Sequence, residues 1–126
     1  MEERTLVMLK PGNEKYEKEI RAILRVAGVY ILREEKKTLT RHEVECLYPD
    51  KVGWEFFDEL AAYLTSGAST LWVCGGLATV QKVLAVKGKT FSGRGIRGLY
   101  ATDFIHNVFH CSDSRKEAER EIALFF

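Results

Sequence analysis

A histidine near the carboxyl end of the chain has the surroundings of a nucleophile. In the segment HNVFHCSDS, residues 106–114, His110 ends an apolar stretch typical of a strand, just before Ser114 and Glu117, which can cap a helix. The amides and dipole of a helix start favour a negatively charged group such as phosphate. Neutral imidazole is a good nucleophile near pH 7 and can pass a phosphate on. The spacing therefore indicates phosphoryl transfer, although an isolated histidine at a strand end is often only a surface residue.

Three basic residues and one acidic residue are candidates to serve a bound phosphate. Lys10 follows a predicted strand, and Arg94 and Arg97 lie in a glycine-rich stretch, residues 89–99. Guanidinium groups in such a loop can hold a polyphosphate through paired hydrogen bonds. Glu121, two turns into the last predicted helix, can orient the nearby imidazole. Taken alone, each of these charged side chains is more often simply solvated.

Strand geometry sets a condition on a further candidate, Asn107. Side chains alternate along a regular strand, which puts Val108 and His110 on one face and Asn107 and Phe109 on the other. Asn107 and His110 can therefore share one site only if the strand bends or ends between them.

Four strands and five helices are predicted to position these residues. The strands are apolar segments of strand length at residues 5–10, 29–37, 70–74 and 104–110. The first helix runs from Glu14 to Ala27, with Asn13 as its cap and Gly28, in a left-handed conformation, at its end.

Caps and apolar stripes mark the other helices. Thr40 and Glu43 form a capping box for a short helix that reaches about Leu47. Asp50 can cap a further helix that ends before Gly67. The apolar stripe of that helix comprises Val52, Phe56, Phe57, Leu60, Tyr63 and Leu64. The last two helices have their apolar positions at Leu77, Val80, Val83 and Leu84, and at Ala118, Ile122 and Phe125.

The order of these elements predicts the fold class. The sequence β, α, β, α, α, β, α, β, α is typical of an α+β, ferredoxin-like split βαβ sandwich. We expect a four-stranded antiparallel sheet covered by helices, with an inserted helical hairpin. A chain of 126 residues fits one domain, spanning residues 1–126. Because the same architecture carries RNA-binding and metal-binding modules, it does not decide the function.

Composition narrows the possible partners and the compartment. The formal net charge of +1 gives no field that would favour nucleic acid or an anionic membrane. The three cysteines show neither a disulfide pattern nor zinc-ligand spacing, which favours reduced thiols in the cytoplasm. The segment from Met1 to Arg4 begins with charges and precedes an apolar stretch too short for an export signal or a membrane span.

Several segments together resemble the nucleoside diphosphate kinase family in order and spacing. They are ERTLVMLKP at 3–11, the helix pair from Tyr48 to Phe57, SG at 66–67, IRG at 96–98, NVFHCSDS at 107–114 and EREIALFF at 119–126. The resemblance covers essentially the whole chain. Its most specific part is an asparagine three residues before a histidine, followed by SDS.

That resemblance implies a ping-pong reaction that moves the γ-phosphoryl group of a nucleoside triphosphate to a nucleoside diphosphate through phosphorylated His110. It implies Mg²⁺ as the cofactor, bound mainly through the nucleotide phosphates, and a homo-oligomer, at least a dimer. Ser112 and Glu121 match the residues that support the histidine, and Phe56 matches the one that stacks on the base. The nucleotide-binding positions of the family match Lys10, Tyr48, Phe56, Thr90, Arg97 and Asn107.

The chain departs from the family pattern at four positions and in one loop. Cys111 replaces a glycine, His106 an arginine, Gly12 an aspartate, and Leu84 a phosphate-binding arginine. Lys87, Lys89 and Arg94 are candidates to replace that arginine. The loop between Thr90 and Ile96 is shorter than in the relatives, where it helps to build trimer contacts, so we expect a dimer rather than a hexamer.

Two other functions compete with an active kinase. A kinase-derived regulatory module that binds nucleotides with weak or no turnover would account for Leu84, Cys111 and the short loop. An RNA-binding sandwich would need exposed aromatic side chains on the central strands, for which Tyr30 and Trp72 are the obvious candidates.

Overall fold

A computed structural model describes residues 2–88 and 108–126, which form a four-stranded antiparallel sheet with helices on both faces. The strands are β1 (Glu2–Leu9), β2 (Tyr30–Lys37), β3 (Ser69–Leu77) and β4 (Phe109–Cys111). Their order across the sheet is β2, β3, β1, β4, with antiparallel neighbours throughout. This order is that of the ferredoxin-like sandwich, so the predicted fold class is confirmed.

Five helices are described between and after these strands. They are α1 (Glu17–Val26), α2 (Arg41–Leu47), α3 (Phe57–Leu64), α4 (Thr79–Lys87) and α5 (Arg115–Phe125). Short 3-10 helices at Glu14–Tyr16 and Pro49–Lys51 precede α1 and α3. The described elements follow the predicted order, with α2 and α3 as the inserted helical hairpin.

The two faces of the sheet build two separate cores. Alternation along β1 directs Leu6 and Met8 to one face, where they pack with residues of α2, α3 and α5. The intervening Val7 and Leu9 pack with residues of α1 and α4 on the other face. Since burial of each large apolar side chain is worth about 2 kcal/mol, both faces stabilise the sheet from which the site residues project.

Several predicted helix ends are confirmed. Gly28 follows α1 with φ of +82°, and Thr40 forms both hydrogen bonds of its capping box with Glu43. Ser114 caps α5 by accepting from the Glu117 amide, but the second half of this predicted box is not formed. The Glu117 carboxylate binds Arg120 instead, because an arginine one turn away offers it a charged partner.

The prediction that Asn13 caps the first helix is wrong. Its side chain makes no capping hydrogen bond, and its amide lies 3.0 Å from the carbonyl of Lys10 and 3.1 Å from the hydroxyl of Tyr63. The same amide nitrogen is 3.4 Å from the carbonyl oxygen of Val108. Asn13 therefore joins the turn after β1 to α3 and to the start of β4, which are separate in sequence.

The predicted helix from Asp50 begins later than expected. Asp50 lies in the 3-10 helix Pro49–Lys51 without capping it, and α3 starts only at Phe57. Val52 and Phe56, assigned to the apolar stripe, are 46% and 48% exposed. Their apolar character matches helical spacing by coincidence, since the segment between the two helices turns toward solvent.

Two further boundaries differ from the sequence predictions. Leu77 ends β3 and is 58% exposed, instead of lying on the inner side of a helix. The fourth strand was predicted over 104–110, but Val108 lies outside it and β4 extends to Cys111. Residues 104–107 of that prediction lie outside the described part of the chain.

An RNA-binding face is not supported by the central strands. Trp72 is fully buried, beneath the guanidinium of Arg21, and its indole nitrogen donates to Glu34. Only Tyr30 of the two candidate stacking residues is exposed.

Of the helices in the described ranges, none combines the length and the apolar character that crossing a bilayer requires.

Candidate active site

The site is centred on His110, the middle residue of the short strand β4. His110 pairs with Met8 of β1, and the Lys10 amide donates to the carbonyl of Val108 at 2.8 Å. Because side chains alternate, Lys10 and His110 project from the same face as diagonal neighbours, at about 7–8 Å between backbones. Both are nearly buried, with 3% and 7% of their surfaces exposed. The sheet register thus brings a lysine and a histidine 100 residues apart into one site.

A buried carboxylate holds one nitrogen of the imidazole. The Nε2 atom of His110 is 2.7 Å from Oε1 of Glu121, which is 3% exposed. Ser112 donates its hydroxyl to the same Oε1 at 2.9 Å, so this oxygen acts as an acceptor. The proton of the neutral ring therefore lies on Nε2, and the lone pair lies on Nδ1. Ser112 and Glu121, the two residues predicted to support the histidine, thus lie in one hydrogen-bonded chain with it.

The hydroxyl of Tyr48 occupies the other side of the ring. It lies 3.1 Å from Nδ1 of His110, and the two rings meet edge to face with centroids 5.2 Å apart. Tyr48 follows α2 directly and is 7% exposed. Since Nδ1 bears the lone pair, the tyrosine hydroxyl donates to it. Nδ1, the nitrogen that bears the lone pair, thus faces α2 and the segment after it.

An exposed aromatic surface continues outward from Tyr48. The ammonium of Lys51 lies 4.9 Å from the centroid of the Tyr48 ring and 5.6 Å from that of Trp54. Trp54 meets Phe56 edge to face at 5.7 Å, and both are about half exposed. Phe56 is thus open to a ligand, as its predicted role requires. Sequence reasoning missed Lys51 and Trp54, which belong to no local sequence motif.

The chain bends immediately before β4. Val108 has φ of +77°, a left-handed conformation that is strained for a β-branched residue, yet it is only 1% exposed. It packs in the same core as Phe109, against the alternation expected of a regular strand. The strand therefore begins after Val108, which is the condition that the sequence set for Asn107 and His110 to share a site.

Cys111 lies beside His110 in sequence but on the opposite face of β4. It pairs with Val7 and is 2% exposed in the core formed with α1 and α4. A thiol in place of glycine is therefore accommodated away from the imidazole. Cys74 lies in the same core, where burial, followed by the nearby Cys111, raises the pKa of the Cys74 thiol to about 12. At neutral pH this thiol is protonated and unreactive.

The structure explains the departure from the family pattern at Gly12 and shows what surrounds Leu84. Gly12 has φ of +83°, which favours glycine over the expected aspartate. Leu84 is half-buried and packs against the core of the second face, so it offers no polar group to a phosphate. Lys87, one proposed replacement, lies 4.0 Å from the carboxylate of Asp113.

Several predicted site residues lie outside the described part of the chain. They are Thr90, Arg97 and Asn107, together with Lys89, Arg94 and His106. Among the described residues, no group of three or more His, Cys, Asp or Glu side chains is arranged to hold a metal ion. The site as described is an imidazole with a fixed tautomer, a buried lysine and an aromatic surface leading to solvent.

Comparison with known proteins gives a consistent family. Residues 3–126 match the family model described as nucleoside diphosphate kinase. The nucleoside diphosphate kinase of Hyperthermus butylicus is 38% identical over 130 residues, which cover 98% of this chain and 92% of that protein. That of Saccharolobus solfataricus is 36% identical, with 98% and 94% covered.

Solved structures of the same family superpose on this chain. The nucleoside diphosphate kinase of Encephalitozoon cuniculi matches with a TM-score of 0.94 and 27% identity, covering 98% of this chain and 88% of that one. The halophilic enzyme of Halobacterium salinarum, solved in complex with CDP, matches with a TM-score of 0.90 and 31% identity, covering 100% and 88%.

Proposed function

This chain belongs to the nucleoside diphosphate kinase family, and from that membership we propose that His110 carries the phosphoryl group between its two nucleotide substrates. The protein is a phosphotransferase, and the reaction of its family is ping-pong. The observation that supports His110 best is the arrangement of its ring between Glu121 and Tyr48.

Nδ1 is the proposed reacting atom, because it bears the lone pair of the neutral ring. In the first half-reaction the Nδ1 lone pair of His110 attacks the γ-phosphorus of the triphosphate. The bond from that phosphorus to the bridging oxygen breaks, and the nucleoside diphosphate leaves with the electron pair. Glu121 stabilises the positive charge that the ring gains, through the proton on Nε2. The second half-reaction is the reverse, with a different diphosphate as the acceptor.

Tyr48 and Lys10 are proposed to bind the phosphates. The Tyr48 hydroxyl, which donates to Nδ1, can donate to a phosphoryl oxygen once that nitrogen has formed its bond to phosphorus. Lys10 projects from the same face of the sheet and adds positive charge near the transferred group. Thr90, Arg97 and Asn107 complete the proposed phosphate and sugar contacts, by resemblance to the family.

The exposed aromatic surface is proposed to bind the base. Phe56 presents a half-exposed ring, and Trp54 packs against its edge. Lys51 lies between the Tyr48 ring and the Trp54 ring, which is the path from the transferred phosphate to the base. Stacking without hydrogen bonds to base edges accommodates every nucleobase, because each has a π face. Broad nucleotide specificity is the expected consequence.

Mg²⁺ is proposed to enter with the nucleotide. Magnesium at nucleotide sites is commonly held by substrate phosphates and water with few protein ligands, and it neutralises charge on the β- and γ-phosphates. The nearest buried carboxylate, Glu121, already accepts from His110 and Ser112 through Oε1. Because Glu121 is occupied by these hydrogen bonds, we propose that the ion is held mainly by the phosphates.

Isotope transfer tests the proposed function. Incubation with γ-labelled ATP and Mg²⁺ is expected to label the protein through an acid-labile, alkali-stable bond, as a phosphoramidate requires. Addition of an unlabelled nucleoside diphosphate should then remove the label as labelled triphosphate. Nucleotide binding without label would instead indicate a regulatory module with little turnover.

The edge strand β2 supports a proposed homodimer. As the outer strand of the sheet it has one unpaired edge in the described part of the chain, and such edges are templates for pairing with another chain. Tyr30 and Leu32 on β2 are 63% and 51% exposed, and Val26 at the end of α1 is 88% exposed. These apolar side chains would be buried if two β2 strands paired.

Oligomeric state provides a test of that interface. Leu32→Lys is expected to give a particle of half the mass in sedimentation experiments, because it places a charge in the interface between the two β2 strands. Val52→Lys, at a comparably exposed apolar residue outside β2, should leave the mass unchanged. An unaltered mass for Leu32→Lys would place the interface elsewhere.

The three cysteines, none of which is in a disulfide, support a proposed cytoplasmic location. Cys46 is partly exposed, whereas Cys74 and Cys111 are buried in one core. Unpaired thiols persist in reducing compartments.

A further inference from the structure

Arg120 connects the two elements that hold opposite sides of the His110 ring. It lies on α5, next to Glu121, and its side chain reaches the carboxyl end of α2. One guanidinium nitrogen donates to the carbonyl of Cys46 at 2.5 Å and another to that of Leu47 at 3.2 Å. These carbonyls belong to the last turn of a helix, where backbone acceptors lack partners within the helix.

The same guanidinium is fixed by acidic residues of its own helix. Its Nε and Nη2 atoms donate to one oxygen of Glu117 at 2.9 and 2.6 Å, and Nη2 lies 3.7 Å from Oε2 of Glu121. The contacts with Glu117 and Glu121 thus fix the orientation of the planar guanidinium group that binds α2. The single ammonium group of a lysine lacks the planar set of donors that makes these contacts.

Tyr48 follows immediately after the two bound carbonyls. Its amide donates to Val44 as the last hydrogen bond of α2, so the position of its ring depends on where α2 ends. Arg120 fixes that end relative to α5, and α5 carries the Glu121 carboxylate that holds Nε2. The distance of 3.1 Å between the Tyr48 hydroxyl and Nδ1 therefore depends on a bridge outside the site.

From this arrangement we infer that Arg120 is a positioning residue, which sets the Tyr48 hydroxyl against Nδ1 of His110 by binding the end of α2 to α5. The inference rests on the proposed function. Arg120 acts through Tyr48 and makes no contact of its own with the imidazole. Its loss should slow phosphoryl transfer more than it weakens nucleotide binding, because positional errors near 1 Å reduce rates strongly.

A double-mutant cycle tests this role. Arg120→Met is expected to lower kcat and the single-turnover rate of labelling about tenfold, with KM changed less than about twofold. In a Tyr48→Phe background the same change should cost less than about twofold, since the hydroxyl that Arg120 positions is already gone. Lys116→Met, an exposed change on the same helix, is the matched control.

The outcomes separate the inference from the proposed function. If the unmodified protein takes up no label, the proposed function fails. If it labels normally but Arg120→Met keeps full kcat and lowers only the melting temperature, the inference is overturned. Equal losses in both backgrounds would overturn it too. Arg120→Lys, which keeps the charge and is the gentler change for folding, should recover only part of the rate; full recovery would show that charge alone matters.

Discussion

Replacement of His110 by glutamine is expected to abolish phosphorylation of the protein by γ-labelled ATP and to lower nucleotide exchange by at least about 10⁴-fold. Glutamine has a similar size and can still hydrogen-bond to Glu121, so the fold should persist. It lacks the Nδ1 lone pair that forms the bond to phosphorus. The measurements are the incorporated label and the steady-state exchange rate, with circular dichroism to confirm folding.

A second histidine provides the control for that experiment. His42 lies on α2 with 84% of its side chain exposed, hydrogen-bonded to the thiol of Cys46. His42→Gln should leave both label and exchange rate unchanged, because the side chain of His42 is exposed and its contacts are with Cys46 and Glu45. Retention of the label in the His110 variant, or its loss in the His42 variant, would mean that the nucleophile is misassigned.

Replacement of Glu121 by alanine is expected to lower kcat about 100-fold, which corresponds to about 2.7 kcal/mol of transition-state stabilisation. In the proposed mechanism the buried carboxylate both fixes the proton on Nε2 and opposes the positive charge of the phosphorylated ring. Without it, the proton can move to Nδ1 and block attack. Single-turnover labelling would report the loss directly.

Glutamine at the same position separates charge from orientation. In Glu121→Gln the amide oxygen can still accept from His110 and Ser112, so the tautomer is kept while the charge is lost. We expect a kcat between those of the alanine variant and the unmodified enzyme. Glu119→Gln, at an exposed residue of the same helix, should have no effect. An alanine variant within threefold of full activity would refute the role assigned to Glu121.

Much of the fold followed from patterns along the chain. The four strands and the order of the elements were predictable because apolar runs and helical stripes report which faces are buried. The capping box of Thr40 and Glu43 was predictable as well, since its partners are three residues apart. Local signals were sufficient wherever the interactions themselves are local.

The errors arose where the packing of separate elements, and not the local pattern, decides the position of a residue. Asn13 has the chemistry of a cap, but contacts with Lys10 and Tyr63 engage its amide. Phe56 fits a helical stripe by spacing, yet its segment turns outward after the 3-10 helix. Neither outcome can be read from the neighbouring sequence, because both depend on the packing of separate elements.

Only part of the site was predicted, because some of its contacts also depend on the packing of separate elements. Glu121 was foreseeable because it lies two turns into the helix that follows His110, whereas Ser112 was assigned by resemblance to the family. Lys51 and Trp54 carry no local motif, and nothing in the sequence distinguishes Arg120 from Arg115, the other arginine of α5. Their contacts emerge only when α2, α5 and the segment before α3 come together.

The burial of His110 also bears on how long a phosphorylated ring would survive. A phosphoramidate is prone to attack by water, and any such attack would waste a triphosphate without forming another. With only 7% of the residue exposed, and with Tyr48 and Glu121 on its two nitrogens, few approaches remain for solvent. In the proposed mechanism, the enclosure that orients His110 would thus also limit futile hydrolysis during the interval in which one product has left and the next acceptor has not arrived.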